Sequence, residues 1–213
     1  TPKSYDKKVS LPSREEVQQK LKDTLLKMQM EKQLPDVITF AGNGEPTLHP
    51  EFAEIIDDTI KLRNQYSPKA RIAVLSNATM LYKEKVFNAL LKIEDNIQKL
   101  DSAFDETIQI MDCPTSAFNL NKVVDQLIRF SGKVIIQTMF LKGEFKGKYF
   151  DNTTTVELEA WIELLKKINP SQVMIYTIAR DTPLDTLIKI AEKELQQIAS
   201  FVKNEGFNVQ VSA

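Results

Sequence analysis

The sequence holds one cysteine, Cys113, and one histidine, His49, among its 213 residues. A single thiol excludes an internal disulfide framework and any multi-cysteine metal site built from this chain alone. A single imidazole closes off the usual zinc sets as well. An excess of one charge is also missing: 28 basic side chains meet 29 acidic ones, for a formal net charge of -1. No global field therefore steers the chain toward nucleic acid or an anionic membrane. No apolar run approaches the ~18 residues needed to span a bilayer. No basic segment followed by an apolar one opens the chain, as a secretory signal would. A cytoplasmic protein with no membrane partner is expected.

What is present suffices for one core. Hydrophobic residues make up 42% and charged residues 27%, the proportions of a folded globular chain. The length predicts a single domain over residues 1–213. Ser13 and Glu16 predict a capping box, with Val17, Leu21, Leu25 and Met28 at helical spacing behind it. Residues 37–41 are short, β-branched and nearly all apolar, as a strand covered on both faces would be. The same unit then recurs. Strands are expected at 37–41, 72–75, 97–102, 134–140, 173–178 and 207–211, with amphipathic helices between them. Thr154 with Glu157 predicts a second capping box, ahead of a helix carrying Val156, Trp161, Leu164, Leu165 and Ile168. The last helix carries Leu187, Ala191, Leu195, Ile198 and Val202. The segment 142–148, with Lys142, Lys146 and Lys148, reads as a solvated loop. Helix and strand in steady alternation predict a parallel sheet covered by helices. Periodicity does not separate a flat doubly wound sheet from a closed or partly closed barrel.

In parallel α/β domains ligands bind beyond the carboxyl ends of the strands. Gly42-Asn43-Gly44-Glu45-Pro46-Thr47 follows the first strand, and Ser76-Asn77-Ala78-Thr79 follows the second. Asp101 ends the third, Gln137 and Thr138 the fourth, and Ile178 and Arg180 the fifth. Gly42 and Gly44 permit a sharp turn and close approach to a ligand. Glu45 can hold an ammonium group; it can also cap the next helix or pair with Arg180. Ser76 and Asn77 can donate to a carboxylate or a ribose hydroxyl, and both are ordinary turn residues. Asp101 can accept from a hydroxyl or amine, or pair with Lys99. Arg180 can clamp a carboxylate or phosphate, or pair with Asp181 or Asp185. His49 reads as a helix cap or turn residue, and Trp161 as core.

The segment Ile38-Thr39-Phe40-Ala41-Gly42-Asn43-Gly44-Glu45-Pro46-Thr47-Leu48-His49-Pro50 resembles the strand-end motif of the radical S-adenosylmethionine superfamily, in its Asn-Gly-Glu-Pro-Thr-Leu form. It is most similar to the iron–sulfur oxidoreductase branch that includes the tRNA wybutosine-synthesising enzyme. Val74-Leu75-Ser76-Asn77-Ala78-Thr79 and Lys99-Leu100-Asp101-Ser102-Ala103 resemble later signatures of that branch. The resemblance implies a partial parallel (β/α)6 barrel, related to the TIM barrel, that binds S-adenosylmethionine across its mouth. Gly42, Asn43, Gly44 and Glu45 would hold the methionyl amino end, and Ser76 and Asn77 the carboxylate or ribose. Asp101, Gln137 and Thr138 would lie farther along, Ile178 near the adenine, and Arg180 toward cofactor or substrate. It further implies a [4Fe-4S] cluster, a 5'-deoxyadenosyl radical that abstracts a substrate hydrogen, and an electron donor such as flavodoxin or ferredoxin. The substrate, whether small molecule, protein or RNA, is not named by the resemblance.

The departure from the family pattern lies in the cysteines. The family holds its cluster with a Cys-x-x-x-Cys-x-x-Cys loop after the first strand, and three thiolates are missing here. The helical start at Ser13 and the first residue, Thr1, predict that the first strand and the cluster loop precede this sequence in a longer protein, leaving this piece inactive alone. They also predict an exposed strand edge, at which a dimer would be an artefact. The alternative is a non-radical module that binds a nucleoside or S-adenosylmethionine on the same fold. An unrelated barrel enzyme for phosphorylated substrates would need a late glycine pair, which the sequence lacks.

Overall fold

The computed structural model describes residues 11–41, 44–114, 118–178 and 185–212. Helix α1 (Arg14–Met30) opens it, with the capping box in place. Ser13 Oγ accepts from the Glu16 amide at 3.2 Å and Glu16 Oε2 accepts from the Ser13 amide at 3.4 Å. Leu25 is its buried anchor. Arg14 reaches across to Asp58 with bonds of 2.6 and 3.0 Å, fastening α1 to helix α2 (Phe52–Tyr66).

Six strands form one parallel sheet: β1 (Val37–Phe40), β2 (Arg71–Ser76), β3 (Asp95–Lys99), β4 (Ile135–Met139), β7 (Gln172–Tyr176) and β9 (Val209–Ser212), side by side in that order. Each expected strand is present, shifted by at most two residues at its start. Strand β3 begins earlier than its composition suggested and ends at Lys99, so Asp101 and Ser102 lie in the loop beyond it.

The crossovers include α2, α3 (Glu84–Leu90), α5 (Leu120–Ile128), α6 (Thr155–Ile168) and α7 (Glu192–Asn204). These helices pack into one core with Val74, Ile136, Val173 and Ile175 from one face of the sheet. Alternation puts Ala73, Leu75, Ile97, Ile135 and Met174 on the other face, where they form a much smaller cluster. A doubly wound sheet has helices on both faces. Coverage from one side is the arrangement of a barrel wall, and the six parallel strands are consistent with a partial barrel. Trp161 is core, 2% exposed, with its ring edge-on to Phe140 at 5.3 Å. Among the described residues no helix is long and apolar enough to cross a membrane.

The structure departs from the expected elements at three places. The lysine-bearing segment is not a loop but a hairpin: β5 (Leu141–Phe145) pairs antiparallel with β6 (Lys148–Asp151), and β5 also pairs with β8 (Leu187–Lys189). Its turn residues Lys146 and Gly147 both have positive φ, 52° and 76°, as a two-residue hairpin turn twisted to match its strands requires. Leu187 therefore sits in a strand, and α7 starts only at Glu192. Second, a short helix α4 (Asp105–Met111) fills the stretch after β3. Third, the Thr154 cap is one-sided. Thr154 accepts from the Glu157 amide, but the Glu157 carboxylate turns inward to the hydroxyls of Ser102 and Thr107, each at 2.6 Å. Val156, expected on the apolar stripe of this helix, instead faces solvent at 67% exposure.

Asn152 locks the hairpin to the main sheet. It is 2% exposed. Its Oδ1 accepts from the Leu141 amide at 3.0 Å, and its Nδ2 donates to the Asp101 and Met139 carbonyls, both at 2.8 Å. One amide thus joins the ends of β3 and β4 to the start of β5. Gly143 lies against β8 so closely that a Cβ there would collide with the Thr186 carbonyl.

Candidate cofactor cleft and the acid–lysine cluster

Parallel pairing of β1 with β2 sets their following loops next to each other. After β1 the chain turns into a short 3-10 segment, Pro46–Leu48, whose N-cap is Glu45. Glu45 Oε1 accepts from the amide of Thr47 at 3.0 Å and also from its hydroxyl. Oε2 accepts from the Asn77 amide at 2.6 Å, so this carboxylate ties the two strand ends together. A carboxylate offers about four acceptor positions. Bonds from the described residues take three of them.

The loop after β2 is wound tightly. Asn77 Oδ1 accepts from the Thr79 amide at 3.1 Å and from its hydroxyl at 2.6 Å. Ser76 Oγ accepts from the Ala78 amide at 3.1 Å. Ala78 itself is buried with φ 63°, a left-handed conformation that costs energy for a residue with a Cβ. Such strain gathers at ligand sites, where the surroundings hold it in place.

These loops wall a cleft of about 470 Å³ that includes Gly44, Glu45, Ser76, Asn77, Lys99, Gln137 and Tyr176. Four of the expected residues from the first two loops, and Gln137, therefore come together. Thr138 does not. It points to the helix side, fully buried, and donates to the Leu100 carbonyl at 2.8 Å. Ile178 is half-buried two residues beyond β7. Gly42, Asn43 and Arg180 lie outside the described residues. Lys99 and Tyr176 were not anticipated. Their signal was parity: each is the last residue of its strand on the face that carries Gln137. His49 is a turn residue, with Nδ1 accepting from the Glu51 amide at 3.1 Å and Nε2 placed 2.9 Å from the Pro12 carbonyl.

Asp101 sits beside the cleft rather than in it. It lines an adjoining hollow of about 440 Å³ that shares Asn77 and Lys99 with the first. Lys99 Nζ lies 2.7 Å from Asp101 Oδ2 and 2.5 Å from Asp112 Oδ1. Asp101 Oδ1 accepts from the Met139 amide at 2.8 Å. Complete burial and the neighbouring Asp112 carboxylate push Asp101 up to about 7, against the pull of Lys99. One ammonium cannot fully offset two carboxylates in a desolvated setting. Burial works to lower the Lys99 ammonium, but Asp101 and Asp112 outweigh it and raise it above the ordinary lysine value. Burial, followed by the charge of Asp101, also raises the Tyr176 phenol.

No family model matches the sequence. A UPF0026 protein of Synechocystis is 30% identical over 153 residues, covering 70% of this chain and 52% of that protein. A UPF0026 protein of Helicobacter pylori is 29% identical over 170 residues, 78% of this chain and 51% of its own. A protein named GTPase Obg from Brachyspira hyodysenteriae is 26% identical over 174 residues, 78% of this chain and 23% of that protein. The chain thus spans about half the length of these relatives or less. Among solved structures, a radical SAM methyltransferase from Sphaerobacter thermophilus superposes with a TM-score of 0.69 at 11% identity, covering 94% of this chain and 57% of that one. A domain of pyruvate-formate lyase-activating enzyme from Bacteroides vulgatus gives 0.59 at 18% identity, over 83% of this chain and 98% of that one. Archaeal TYW1 gives 0.57 at 16% identity, over 96% and 67%. These proteins carry different names, so the likeness selects no single branch. It does establish that the chain has a radical S-adenosylmethionine-like α/β fold.

Proposed function

We propose that this chain is the S-adenosylmethionine-binding core of a radical iron–sulfur oxidoreductase. The observation that carries the reading is the Glu45 carboxylate. It is held by Thr47 and Asn77, it lines the strand-end cleft, and one of its acceptor positions is taken by none of the described residues. That position suits the ammonium of an amino-acid-like ligand. Gln137 and the side-chain Nδ2 of Asn77 can meet a carboxylate or ribose hydroxyl, and Lys99 can meet a carboxylate. The cleft is of the size that holds small ligands, about 300–1,000 Å³. Gly42, Asn43, Ile178 and Arg180 belong to the same proposed site by their place in the chain.

The residues present do not fit the iron–sulfur cluster. Its three thiolates cannot come from a chain with one cysteine, and Cys113 is exposed. No group of three or more His, Cys, Asp or Glu placed to hold a metal occurs among the described residues. In this reading the cluster ligands come from residues outside this chain, and an electron donor such as flavodoxin or ferredoxin serves the whole protein. The part played by these residues is to bind and orient the cofactor.

Calorimetry with S-adenosylmethionine tests the assignment. Glu45→Gln should weaken binding about tenfold or more, since a hydrogen bond to a charged group contributes roughly 1.5–3 kcal/mol. Equal affinity for the two proteins would reject the role of Glu45. Anaerobic reconstitution of this chain should yield no stoichiometric cluster, and near-stoichiometric iron and sulfide would refute that expectation. A second reading, a non-radical nucleoside or S-adenosylmethionine module, is favoured by the same shortage of thiolates. A longer protein with a three-cysteine segment ahead of Thr1 separates the first reading from the second.

A further inference from the structure

We propose that the groove between α6, α7 and the start of α4 docks a basic amphipathic helix of a partner protein. Val156 and Ala160 of α6, Phe201 of α7 and Phe104 at the N-cap of α4 give it apolar walls, and its volume is about 610 Å³. Val156, Phe104 and Phe201 come from three separate elements, yet they are 67%, 39% and 37% exposed on this one surface.

Buried polar contacts set the walls. At the start of α6 the usual order is inverted: the charged Glu157 is buried and the apolar Val156 faces water. Ser102 Oγ donates to Glu157 Oε2 at 2.6 Å and accepts from the Phe104 amide at 2.9 Å. One hydroxyl thereby ties the backbone of Phe104 to the first turn of α6. On the other side Lys166 Nζ lies 2.9 Å from Glu163 Oε1 and 2.9 Å from Glu205 Oε2, joining α6 to the end of α7.

Charge decides what fits. Three carboxylates, Glu159, Glu163 and Glu205, meet one ammonium, Lys166, so two negative charges are in excess along the rim. Positions 156, 159, 160 and 163 are spaced i, i+3, i+4 and i+7, on one face of α6. They span roughly 10 Å at 1.5 Å per residue, about two turns of a docked helix. A nucleic acid or an anionic membrane meets like charge here. A second copy docked about a twofold axis would set these carboxylates against themselves. An extended strand finds helix surfaces and no free sheet edge to pair with. A helix with leucines on one face and lysine or arginine beside them supplies both the apolar contact and the opposite charge. The groove shares no lining residue with the Glu45 cleft, so this docking site does not depend on the cofactor reading.

Fluorescence anisotropy tests it, with the full chain and a labelled amphipathic peptide of leucine and lysine, about fourteen residues or roughly four turns long. Saturable binding is expected. The same peptide with glutamate for lysine should bind at least tenfold more weakly. So should a peptide of the same composition scrambled to break the apolar stripe. Val156→Glu should weaken the lysine peptide at least tenfold, whereas Tyr149→Glu, at a comparably exposed position on the hairpin, should leave it unchanged. If Val156→Glu does not fold by circular dichroism, Glu159→Lys should weaken the peptide at least threefold, since it reverses one rim charge. No saturable binding, equal binding of the acidic or scrambled peptide, unchanged affinity in a folded groove variant, or an equal loss with Tyr149→Glu would overturn the proposal. Sedimentation showing that the parent chain self-associates, with Val156→Glu restoring the monomer, would overturn it too, because the occupant is then a second copy of this chain.

Discussion

On the helix-covered face of the main sheet Ile72, Val74, Ile136 and Val173 are all fully buried, while on the opposite face Ala73, Ile97 and Ile135 form a thin cluster backed by Leu75 and Met174. The first face is sealed by α2, α3, α5, α6 and α7, and it carries the stability of the fold. The second face is apolar only in its middle. At the strand starts it is polar, with Arg71 bonded to Asp95 at 2.8 and 2.6 Å and Gln172 to Gln210 at 3.0 Å. At the strand ends it carries Lys99, Gln137 and Tyr176. Here the polar cleft opens on the face that the helices leave uncovered, and the stable core lies on the other face of the same strands.

Substitutions can break or sharpen that contrast. The largest effect is expected for Trp161→Ala on the sealed side, a loss of about 3–5 kcal/mol for removal of a buried aromatic. Chemical denaturation measures it, and Ile97→Ala on the opposite face should cost less. A larger loss for Ile97 would reverse the ranking of the two faces. Next comes Asn152→Leu at the seam between the main sheet and the hairpin. It leaves the Leu141 amide and the Asp101 and Met139 carbonyls unpaired. At ~1–3 kcal/mol for each buried group left without a partner, a destabilisation of several kcal/mol is expected, and a change within ~1 kcal/mol would deny Asn152 that role.

A smaller effect separates the mouth from the core by pH. Asp101 is raised to about 7 in the folded chain from an ordinary 3.8. Between those values the folded state holds more protons than the unfolded state, so stability should fall as pH rises through this window and level off above it. Asp101→Asn should flatten that slope in thermal melts taken from pH 4 to 8. An unchanged slope would show that Asp101 ionises normally. The contribution of Asp58 runs the other way. The Arg14 side chain holds its carboxyl below the ordinary value, so the stability it lends is present above that value and is lost in acid. The smallest effect is expected at the polar strand starts. Arg71→Ala removes a half-exposed ion pair, and pairs of that kind contribute only about 0–1 kcal/mol.

Much of this organisation was legible beforehand because it is written in local period. Short apolar, largely β-branched runs marked most strands of the main sheet, the third was expected from its place in the alternation, and the cap at Ser13 formed as its spacing implied. The hairpin was not legible because Lys142, Lys146 and Lys148 mask an alternation of Leu141, Gly143 and Phe145 against Phe150. Its packing depends on β8 and, through Asn152, on the Asp101 carbonyl, and both lie far away along the chain. The candidate site was half legible. Gly44, Glu45, Ser76, Asn77 and Gln137 meet because parallel neighbours bring their loops together. Thr138 was placed on the wrong side by reading strand ends without their alternation, and the same omission hid Lys99 and Tyr176.

The sequence by itself determined the six parallel strands and most of the helices between them, and that chemistry-bearing residues fall near the strand ends, since both follow from local spacing. It also determined that three cluster thiolates cannot come from this chain. Only the tertiary structure decided that the helices cover one face, that Glu45 is braced by Thr47 and Asn77, and that Asp101 opens into a separate hollow with Lys99 and Asp112. Those outcomes depend on which strands become neighbours and on how much water each charge loses, and neither is a property of any short stretch of sequence.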